Sequence, residues 1–241
     1  MIRFRHYQLE EIAKAIEEWD RVRGSFEFHL LNTFNLGLSE QDSEYKRLLQ
    51  KTDPANINLP DGWPVAFWLS FVHGKHVTQI RGSDLLRFLV LNGKKNSHFF
   101  LGSTLETLTA LEKSLLKLNP DATFSGFVSP PFSDTYESWL PEFIATLRDE
   151  KVDFLWVGLG TPKQDYIVRA IAESNLEIKA VFAVGAAFDF LAGVKKEVPS
   201  FMRKMGLEWL HRLLSEPKRL WKRYTVFQLY FLKAILKSSF G

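Results

Sequence analysis

One candidate catalytic residue in the sequence is an aspartate that precedes a glycine. Asp61 stands in the segment 59–64, Leu-Pro-Asp-Gly-Trp-Pro, directly after a short apolar run. A carboxylate placed at the mouth of a strand can act as a general base for a hydroxyl nucleophile. The Asp-Gly pair is also a common turn signal, and taken alone the motif favours the turn.

A glycine-rich segment at 157–165, Val-Gly-Leu-Gly-Thr-Pro-Lys-Gln-Asp, suits contact with an anionic ligand. Gly158 and Gly160 allow the backbone to approach a ligand, and a helix starting after them offers N–H groups and Lys163 to an anion. Gln164 can both donate to and accept from a sugar or a base. The segment lacks the ending of a Walker loop and the spacing of a dinucleotide fingerprint.

A third segment, 184–193, reads Val-Gly-Ala-Ala-Phe-Asp-Phe-Leu-Ala-Gly. A strand, then Gly185, then an aspartate in apolar surroundings can seat a nucleobase or a ribose, with Asp189 as the acceptor. The alternative is an ordinary helix start in which Asp189 interacts favourably with the helix dipole.

Metal and disulfide chemistry have no matching pattern. The chain has no cysteine, which excludes disulfides, thiolate metal sites and a cysteine nucleophile. Its histidines lack the spacing of a metal site, and no Asp-x-Asp pair is present to hold a divalent ion on a diphosphate. The sequence therefore predicts no metal site and no cofactor.

Arginines recur in the segment 206–224 at spacings that bring them together on a helix. Arg212, Arg219 and Arg223 are seven and four residues apart, and guanidinium groups bind phosphates in bidentate fashion. From Lys218 onward, basic residues occupy one arc and apolar residues mostly the opposite one. This pattern fits a helix on an anionic membrane, but a calmodulin target or a subunit-packing helix in a homo-oligomer has the same pattern.

The charge of the chain is unevenly distributed. The total is +3, but residues 195–241 hold 11 basic and 3 acidic residues, a balance of +8, against −5 for residues 1–194. A basic tail on a mildly acidic body suggests an anionic partner such as nucleic acid, anionic lipid or phosphate groups. A solvated helix face remains the alternative.

Strand and helix patterns alternate along the first 194 residues. Helical patterns separate short apolar strands, which fall at 26–33, 56–59, 97–102, 121–128, 153–160 and 178–185. The alternation predicts an α/β fold, Rossmann-like, with a largely parallel sheet and helices on both faces. Residues 32–35 are predicted as a loop and 136–149 as a helix. Residues 1–194 are predicted as the catalytic domain and 195–241 as a helical C-terminal appendage.

No segment has the composition of a membrane span or a signal peptide. The longest stretch without a formal charge, residues 62–74, has 13 residues, whereas a span needs about 20 mainly apolar ones. The N-terminus lacks the apolar core of a signal peptide. We expect a cytoplasmic protein.

Taken in order, these segments resemble the WecG/TagA/CpsF family of bacterial glycosyltransferases. The resemblance extends over about residues 30–225. The matching elements are LNTFN (31–35), PDG (60–62), RGSDLL (81–86), FFLGS (99–103), VGLGTPKQD (157–165), VGAAFDFLAG (184–193) and GLEWLHRLLSEPKRLWKRY (206–224).

The resemblance implies an inverting transfer of a sugar from a UDP-sugar to a polyprenyl-diphosphate-linked saccharide, at the inner face of the cell membrane. It makes Asp61 the catalytic base. It also implies a set of substrate-binding residues that face the sugars, the nucleotide and the diphosphate: Thr33, Asn35, Arg81, Asp84, Lys163, Gln164, Gly185, Asp189, Arg212, Arg219 and Arg223.

The chain departs from the family pattern at several positions. Phe34 replaces the usual proline, Asp165 replaces a glutamate, and residues 197–199 read Glu-Val-Pro where Arg-Ala-Pro is common. Trp63 and Pro64 replace small residues. The donor sugar and the acceptor are left open by these departures.

Two other classes of function are weighed against this one. The first is a non-catalytic nucleotide- or sugar-binding protein that docks on membranes through its basic tail. The second is a nucleic-acid-binding protein, which the sequence disfavours because it has no recognition helix or stacking platform and its body is acidic. No nucleic-acid partner is therefore predicted.

Overall fold

The protein is built on one sheet of six parallel strands. The computed structural model describes residues 2–18, 24–93, 95–133, 135–199, 201–202 and 205–240, except for the side chains of 219, 223, 234 and 236–240. The order across the sheet is β2-β1-β6-β5-β3-β4, and every neighbouring pair is parallel. The predicted Rossmann-like α/β fold is confirmed. The strands are β1 (Phe26–Leu31), β2 (Asn56–Pro60), β3 (Ser97–Gly102), β4 (Thr123–Val128), β5 (Phe154–Gly158) and β6 (Ala180–Ala183).

Helices follow most of the strands, as expected for parallel connections. Over the described residues they are α1 (Leu9–Glu17), α2 (Thr33–Ser39), α3 (Ser43–Gln50), α4 (Trp63–His73), α5 (Gly82–Asn92), α6 (Leu105–Leu118), α7 (Leu140–Thr146), α8 (Lys163–Ala172), α9 (Ala187–Leu191), α10 (Glu208–Ser215) and α11 (Pro217–Phe240).

Both faces of the sheet are covered by apolar side chains. Along β5, Phe154 and Trp156 pack in one hydrophobic cluster, and Leu155 and Val157 pack in another. Because successive strand residues point to opposite faces, a strand covered on both sides is apolar throughout. This explains why the strands were visible in the sequence as continuous apolar runs.

The predicted loop at 32–35 is instead the start of a helix. Oδ1 of Asn32 accepts from the backbone N–H groups of Phe34 and Asn35, at 3.0 and 3.4 Å. The side chain of Asn35 accepts from the N–H of Asn32 at 3.1 Å. This reciprocal capping satisfies N–H groups that a helix leaves unpaired at its first turn, and so α2 begins directly after β1.

The predicted helix at 136–149 is shorter in the structure. It forms α7 and then a 3₁₀ turn at Leu147–Asp149. Pro141 lies in the first turn of α7, where its missing N–H group costs nothing.

The C-terminal helix α11 is packed against the α/β body. Phe231 is buried in a cluster with Leu36 of α2 and Leu69 of α4. Gly37 is required at the crossing, because a Cβ there would lie 2.3 Å from the carbonyl oxygen of Phe227. Part of the apolar arc that the sequence placed on a membrane therefore lies against the protein. Among the described residues, no helix combines the length and apolarity that crossing a membrane requires.

Candidate active site

A cavity of about 450 Å³ opens at the carboxyl ends of the strands. Open α/β sheets bind their ligands at this edge. The segments after β1, β2, β3, β5 and β6 all line the cavity, and the C-terminal helices close one side of it. The polar residues in its lining include Asn32, Thr33, Asp61, Arg81, Ser103, Thr161, Gln164, Asp189, Lys195, Glu208, Arg212, Tyr224 and Gln228.

Asp61 lies in the wall of this cavity, where β2 ends. Its backbone N–H donates to the carbonyl oxygen of Leu31 at 2.9 Å, which fixes it beside β1. Burial, together with the charge of Glu208, raises the pKa of Asp61, and the charges of Arg212 and Arg81 and a hydrogen bond from Asn32 oppose this rise. The resulting pKa is about 6. The carboxylate is therefore more basic than an ordinary aspartate but still mostly ionised at neutral pH.

Thr33 and Asn35 occupy different positions in the first turn of α2. Thr33 lines the cavity, whereas Asn35 lies beneath it and is fully buried. The Asn35 amide donates to Oη of Tyr45 at 2.8 Å and to Oγ1 of Thr161 at 3.0 Å. Its contacts thus join α2 to the turn after β5, and it does not face the cavity.

A network of buried polar residues continues from Asn35 into the protein. Tyr45 donates through its hydroxyl to Oδ2 of Asp165 at 2.9 Å, and Nδ1 of His29 lies 2.9 Å from Oδ1 of the same carboxylate. Burial lowers the pKa of His29, but hydrogen bonds and charge from Asp165 and Glu27 outweigh it and raise the pKa overall. We call Asn35, Tyr45, Asp165, His29 and Glu27 the buried network.

Sequence reasoning missed the buried network. The available signal was the pair Glu27 and His29 inside a strand that is otherwise apolar, since buried charged groups need partners. Asp165, the partner of His29, differs in the sequence only by replacing the glutamate of the family pattern. It lies 136 residues from His29 along the chain, a distance at which no local pattern indicates a contact.

We expect Asp165→Asn to destabilise the protein by about 3 kcal/mol, because it removes the buried counter-charge of His29. The loss in unfolding free energy relative to the unmodified chain should be largest below about pH 6.5, the ordinary pKa of histidine. It should shrink as the pH rises through the raised pKa of His29, where the stabilisation from its proton is lost. Urea unfolding at several pH values measures both effects.

The matched control is Asp121→Asn, at an exposed aspartate. A surface change of this kind should alter stability by less than about 0.5 kcal/mol. If Asp165→Asn were no more destabilising than this control, the buried network would have no role in stability.

The turn after β5 places Gln164 and Lys163 in different environments. Gln164 is buried and lines the cavity, and its Oε1 accepts from the N–H of Gly160 at 2.9 Å. Gly185, also in the lining, lies beside it with a φ of +57°, a conformation that favours glycine. Lys163 instead donates to the carbonyl oxygen of Ser133 and lies outside the cavity lining.

Asp189 lines the cavity from the first turn of α9, the helix that follows β6. Its Oδ2 lies 2.8 Å from Nζ of Lys195, and its Oδ1 accepts from Oγ of Ser103 at 3.4 Å. Lys195 also pairs with Glu216 at 3.2 Å. Sequence reasoning missed Ser103 and Lys195. The second had appeared only in the charge balance of the tail.

Two arginines from distant segments meet at the cavity near Asp61. Arg81 lies 3.4 Å from Glu208 and 3.7 Å from Asp84, and both Arg81 and Arg212 line the cavity. The guanidinium carbon of Arg212 lies 5.6 Å from the centre of the Phe190 ring. Asp84 pairs with Arg81 and is not among the residues that line the cavity. The side chains of Arg219 and Arg223 lie outside the described residues.

The C-terminal helices supply part of the cavity wall. Glu208, Trp209 and Arg212 come from α10, and Tyr224 and Gln228 come from α11. Of these five, the sequence had singled out Arg212 alone. Glu208, Trp209 and Tyr224 belong to the matching element 206–224 but carry no assigned role there, and Gln228 lies outside that element.

The arrangement suits the transfer of a group with an anionic leaving group. One carboxylate of raised pKa can take a proton from a hydroxyl, and the nearby cations can stabilise negative charge as it develops. Within the described part of the chain, no group of three or more His, Asp or Glu side chains is placed to hold a metal ion. The predicted absence of a metal site stays a prediction.

Comparison with known proteins bears directly on this chemistry. The model of the glycosyl transferase WecG/TagA/CpsF family matches residues 1–241, which confirms the resemblance. A Bacillus spizizenii protein named N-acetylglucosaminyldiphosphoundecaprenol N-acetyl-beta-D-mannosaminyltransferase is 28% identical over 199 residues, covering 82% of this chain and 73% of that protein.

Two further relatives have the same name. The Bacillus subtilis protein is 27% identical over 198 residues, covering 81% of this chain and 73% of its own length. A Staphylococcus aureus protein is 31% identical over 127 residues, covering 51% of this chain and 46% of its own.

Proposed function

The chain belongs to the glycosyl transferase WecG/TagA/CpsF family, and we propose that it transfers a sugar from a UDP-sugar to a polyprenyl-diphosphate-linked saccharide, with inversion. The observation that carries this proposal is the placement of Asp61 in one cavity with Arg81 and Arg212. A base and two phosphate-binding side chains are what the reaction needs. The chain is a glycosyltransferase; its donor, acceptor and stereochemistry are what we propose.

The proposed step is a single displacement at the anomeric carbon. The acceptor hydroxyl oxygen forms the new glycosidic bond while the bond from that carbon to the UDP oxygen breaks, and UDP leaves with the electron pair. Asp61 takes the hydroxyl proton. One displacement inverts the configuration, and a pKa of about 6 lets Asp61 accept the proton at neutral pH.

Stabilisation of the departing UDP falls to cations and N–H groups at the cavity. Arg81 and Arg212 can bind phosphate oxygens in bidentate fashion, and Lys195 adds a third positive charge. Thr33 and Gln164 offer hydrogen bonds to the sugars, and Asp189 to the nucleotide. Lys163, Arg219 and Arg223 stay predictions from the resemblance.

The names of the relatives suggest the first substrates to test. They make UDP-N-acetylmannosamine the first donor and N-acetylglucosaminyl-diphosphoundecaprenol the first acceptor. Purified protein should be incubated with this acceptor and a panel of UDP-sugars, and the products analysed for linkage. If UDP bound but no sugar was transferred to any lipid-linked acceptor, the non-catalytic alternative would be favoured.

A lipid-linked acceptor implies a place of action. We propose that the protein works on the cytoplasmic face of the cell membrane as a peripheral protein, in the assembly of a cell-surface polymer. An anionic membrane surface is then a partner, and the balance of +8 in residues 195–241 is compatible with it.

We expect turnover to be independent of divalent cations. The sequence has no Asp-x-Asp pair. Arg81, Arg212 and Lys195 line the cavity, where they can neutralise a bound diphosphate without a metal ion. Protein treated with EDTA should keep its rate in the transfer assay. Loss of activity on EDTA, with recovery on adding magnesium or manganese, would overturn this expectation.

A further inference from the structure

The helix α4 carries an exposed aromatic stripe. Trp63, Phe67 and Phe71 are spaced four residues apart, so they lie on one face of the helix. Their exposed fractions are 43, 58 and 82%. The opposite face is buried through Val65 and Leu69. A helix that is apolar on both faces requires a second apolar environment, and a contiguous exposed patch of this kind marks an interaction surface.

The aromatic stripe begins in the wall of the cavity. Trp63 lines the cavity two residues after Asp61, and its ring packs so closely on Gly206 that a Cβ there would lie 2.7 Å from it. The ring of Phe67 stacks on the ring of Trp63, with centroids 4.8 Å apart and planes 16° apart. The apolar surface therefore runs without a break from the cavity to Phe71.

One lysine, Lys75, and two histidines, His73 and His76, follow the last residue of the stripe. Residues 71–76, Phe-Val-His-Gly-Lys-His, are all exposed, and the ring of His73 lies 4.5 Å from the ring of His6. Burial lowers the pKa of His6, and His73 and Lys75 lower it further by their charge. The end of α4 therefore combines an exposed phenylalanine with the exposed positive charge of Lys75. We call residues 71–76 the basic tip.

The C-terminal helix offers less free apolar surface than its sequence suggested. Leu220 and Phe231 of α11 are buried, and Phe227 packs edge-on against Phe34 of α2. Trp221 and Leu229 remain exposed on the same helix. The exposed aromatic residues Trp63, Phe67 and Phe71 therefore form a surface on α4 that reaches the cavity and lies outside the basic tail.

We propose that the aromatic stripe and the basic tip dock on an anionic lipid bilayer, which places the mouth of the cavity at the membrane surface. Aromatic side chains enter the interface while Lys75 meets lipid phosphates. The proposal rests on the proposed function for its purpose, since a lipid-linked acceptor is reached from the bilayer. The docking itself requires neither donor nor acceptor.

Charge favours a bilayer over a second copy of the chain as the occupant. Residues 63–76 contain no aspartate or glutamate. Two copies paired through this surface would therefore offer no carboxylate from it to Lys75. Anionic head groups supply that charge, and the acyl region accepts Phe67 and Phe71 at the same time.

The test is binding of the full chain to vesicles without any substrate. We expect the double variant Phe67→Ser/Phe71→Ser to bind phosphatidylcholine–phosphatidylglycerol vesicles about tenfold more weakly, or worse, because two exposed aromatic side chains no longer enter the interface. The single variant Phe71→Ser, at the most exposed position, should show the same direction if the double variant fails to fold. Sedimentation with vesicles measures the affinity.

The matched control is Phe132→Ser. Phe132 is fully exposed in the segment after β4, and β4 and β2 are at opposite edges of the sheet. This variant should bind vesicles as the unmodified chain does. Lys75→Gln should weaken binding about fivefold to anionic vesicles and leave binding to pure phosphatidylcholine unchanged.

Three outcomes would overturn the proposal. The first is unchanged vesicle binding by both α4 variants. The second is an equal loss in Phe132→Ser. The third is a change of oligomeric state in Phe67→Ser/Phe71→Ser without a change in vesicle binding, which would assign the surface to contacts between copies. Failure of the proposed function would appear differently, as an absence of sugar transfer in protein that still binds vesicles.

Discussion

Asp61→Asn should lower turnover by about 10²–10⁴-fold, the usual contribution of a general base. Asparagine keeps the shape of the side chain and its place after β2 but cannot take a proton from the acceptor hydroxyl. Binding of UDP should survive, because the groups assigned to phosphate lie on other segments of the cavity wall. Steady-state transfer assays and UDP titration by calorimetry measure the two quantities.

The control for this variant is Asp121→Asn, which removes a carboxylate that is exposed and far along the chain from the cavity segments. Its turnover should equal that of the unmodified chain. Near-normal turnover in Asp61→Asn would assign the base to another group. Loss of UDP binding together with turnover would instead indicate that Asp61 shapes the cavity.

Arg212→Gln should lower kcat/KM by about 10²–10³-fold, the range seen when one preorganised group that stabilises developing charge is removed. Arg212 also lowers the pKa of Asp61, which stands at about 6. In the unmodified protein, kcat/KM should therefore fall as the pH drops below about 6, because the base must be ionised to act. We call this fall the acid limb of the pH profile. In the variant the limb should move to higher pH, because the pKa of Asp61 rises when the positive charge is lost.

Arg212→Lys separates the two roles of this side chain. It keeps a positive charge near Asp61, so the acid limb should return toward pH 6, but it cannot bind phosphate in bidentate fashion and should recover little of the rate. Arg148→Gln, at an exposed position, should change neither quantity. A pH profile that does not move in Arg212→Gln would contradict the electrostatic link between Arg212 and Asp61.

The involvement of Arg212 follows from how α10 and α11 are held. Phe231 is buried beside α2, and Gly37 allows the close crossing with Phe227. The same packing carries Tyr224 into the cavity wall. We infer that the basic C-terminal region completes the site because its helix is fixed on α2, the helix that Asn32 caps.

The sequence by itself determined the sheet, the family and the position of Asp61. Strands buried on both faces are continuous apolar runs, and helices between them force parallel connections, so the α/β fold could be predicted from patterns within short segments. The strand ends carry the chemistry-bearing segments, and in a parallel sheet these ends meet at one edge. That rule agrees with the presence of Asp61, Gln164 and Asp189 in the lining of one cavity.

Tertiary structure alone decided which polar side chains face that cavity. Asn35 and Lys163 stand in motifs that the resemblance assigns to substrate, yet Asn35 is engaged by Tyr45 and Thr161, and Lys163 by Ser133. Tyr45 belongs to a different helix, and Thr161 and Ser133 lie 126 and 30 residues from their partners. Short-range periodicity carries no information about contacts between separate elements.

Short-range periodicity is also insufficient to explain the apolar surfaces of α11 and α4. Periodicity shows that α11 has an apolar arc and that α4 is apolar, but it does not show what covers either one. Packing on α2 buries Phe231 of α11, while nothing in the described part of the chain covers Phe71 of α4. Burial is a property of the assembled fold, because it depends on neighbours that the chain brings together only when it folds.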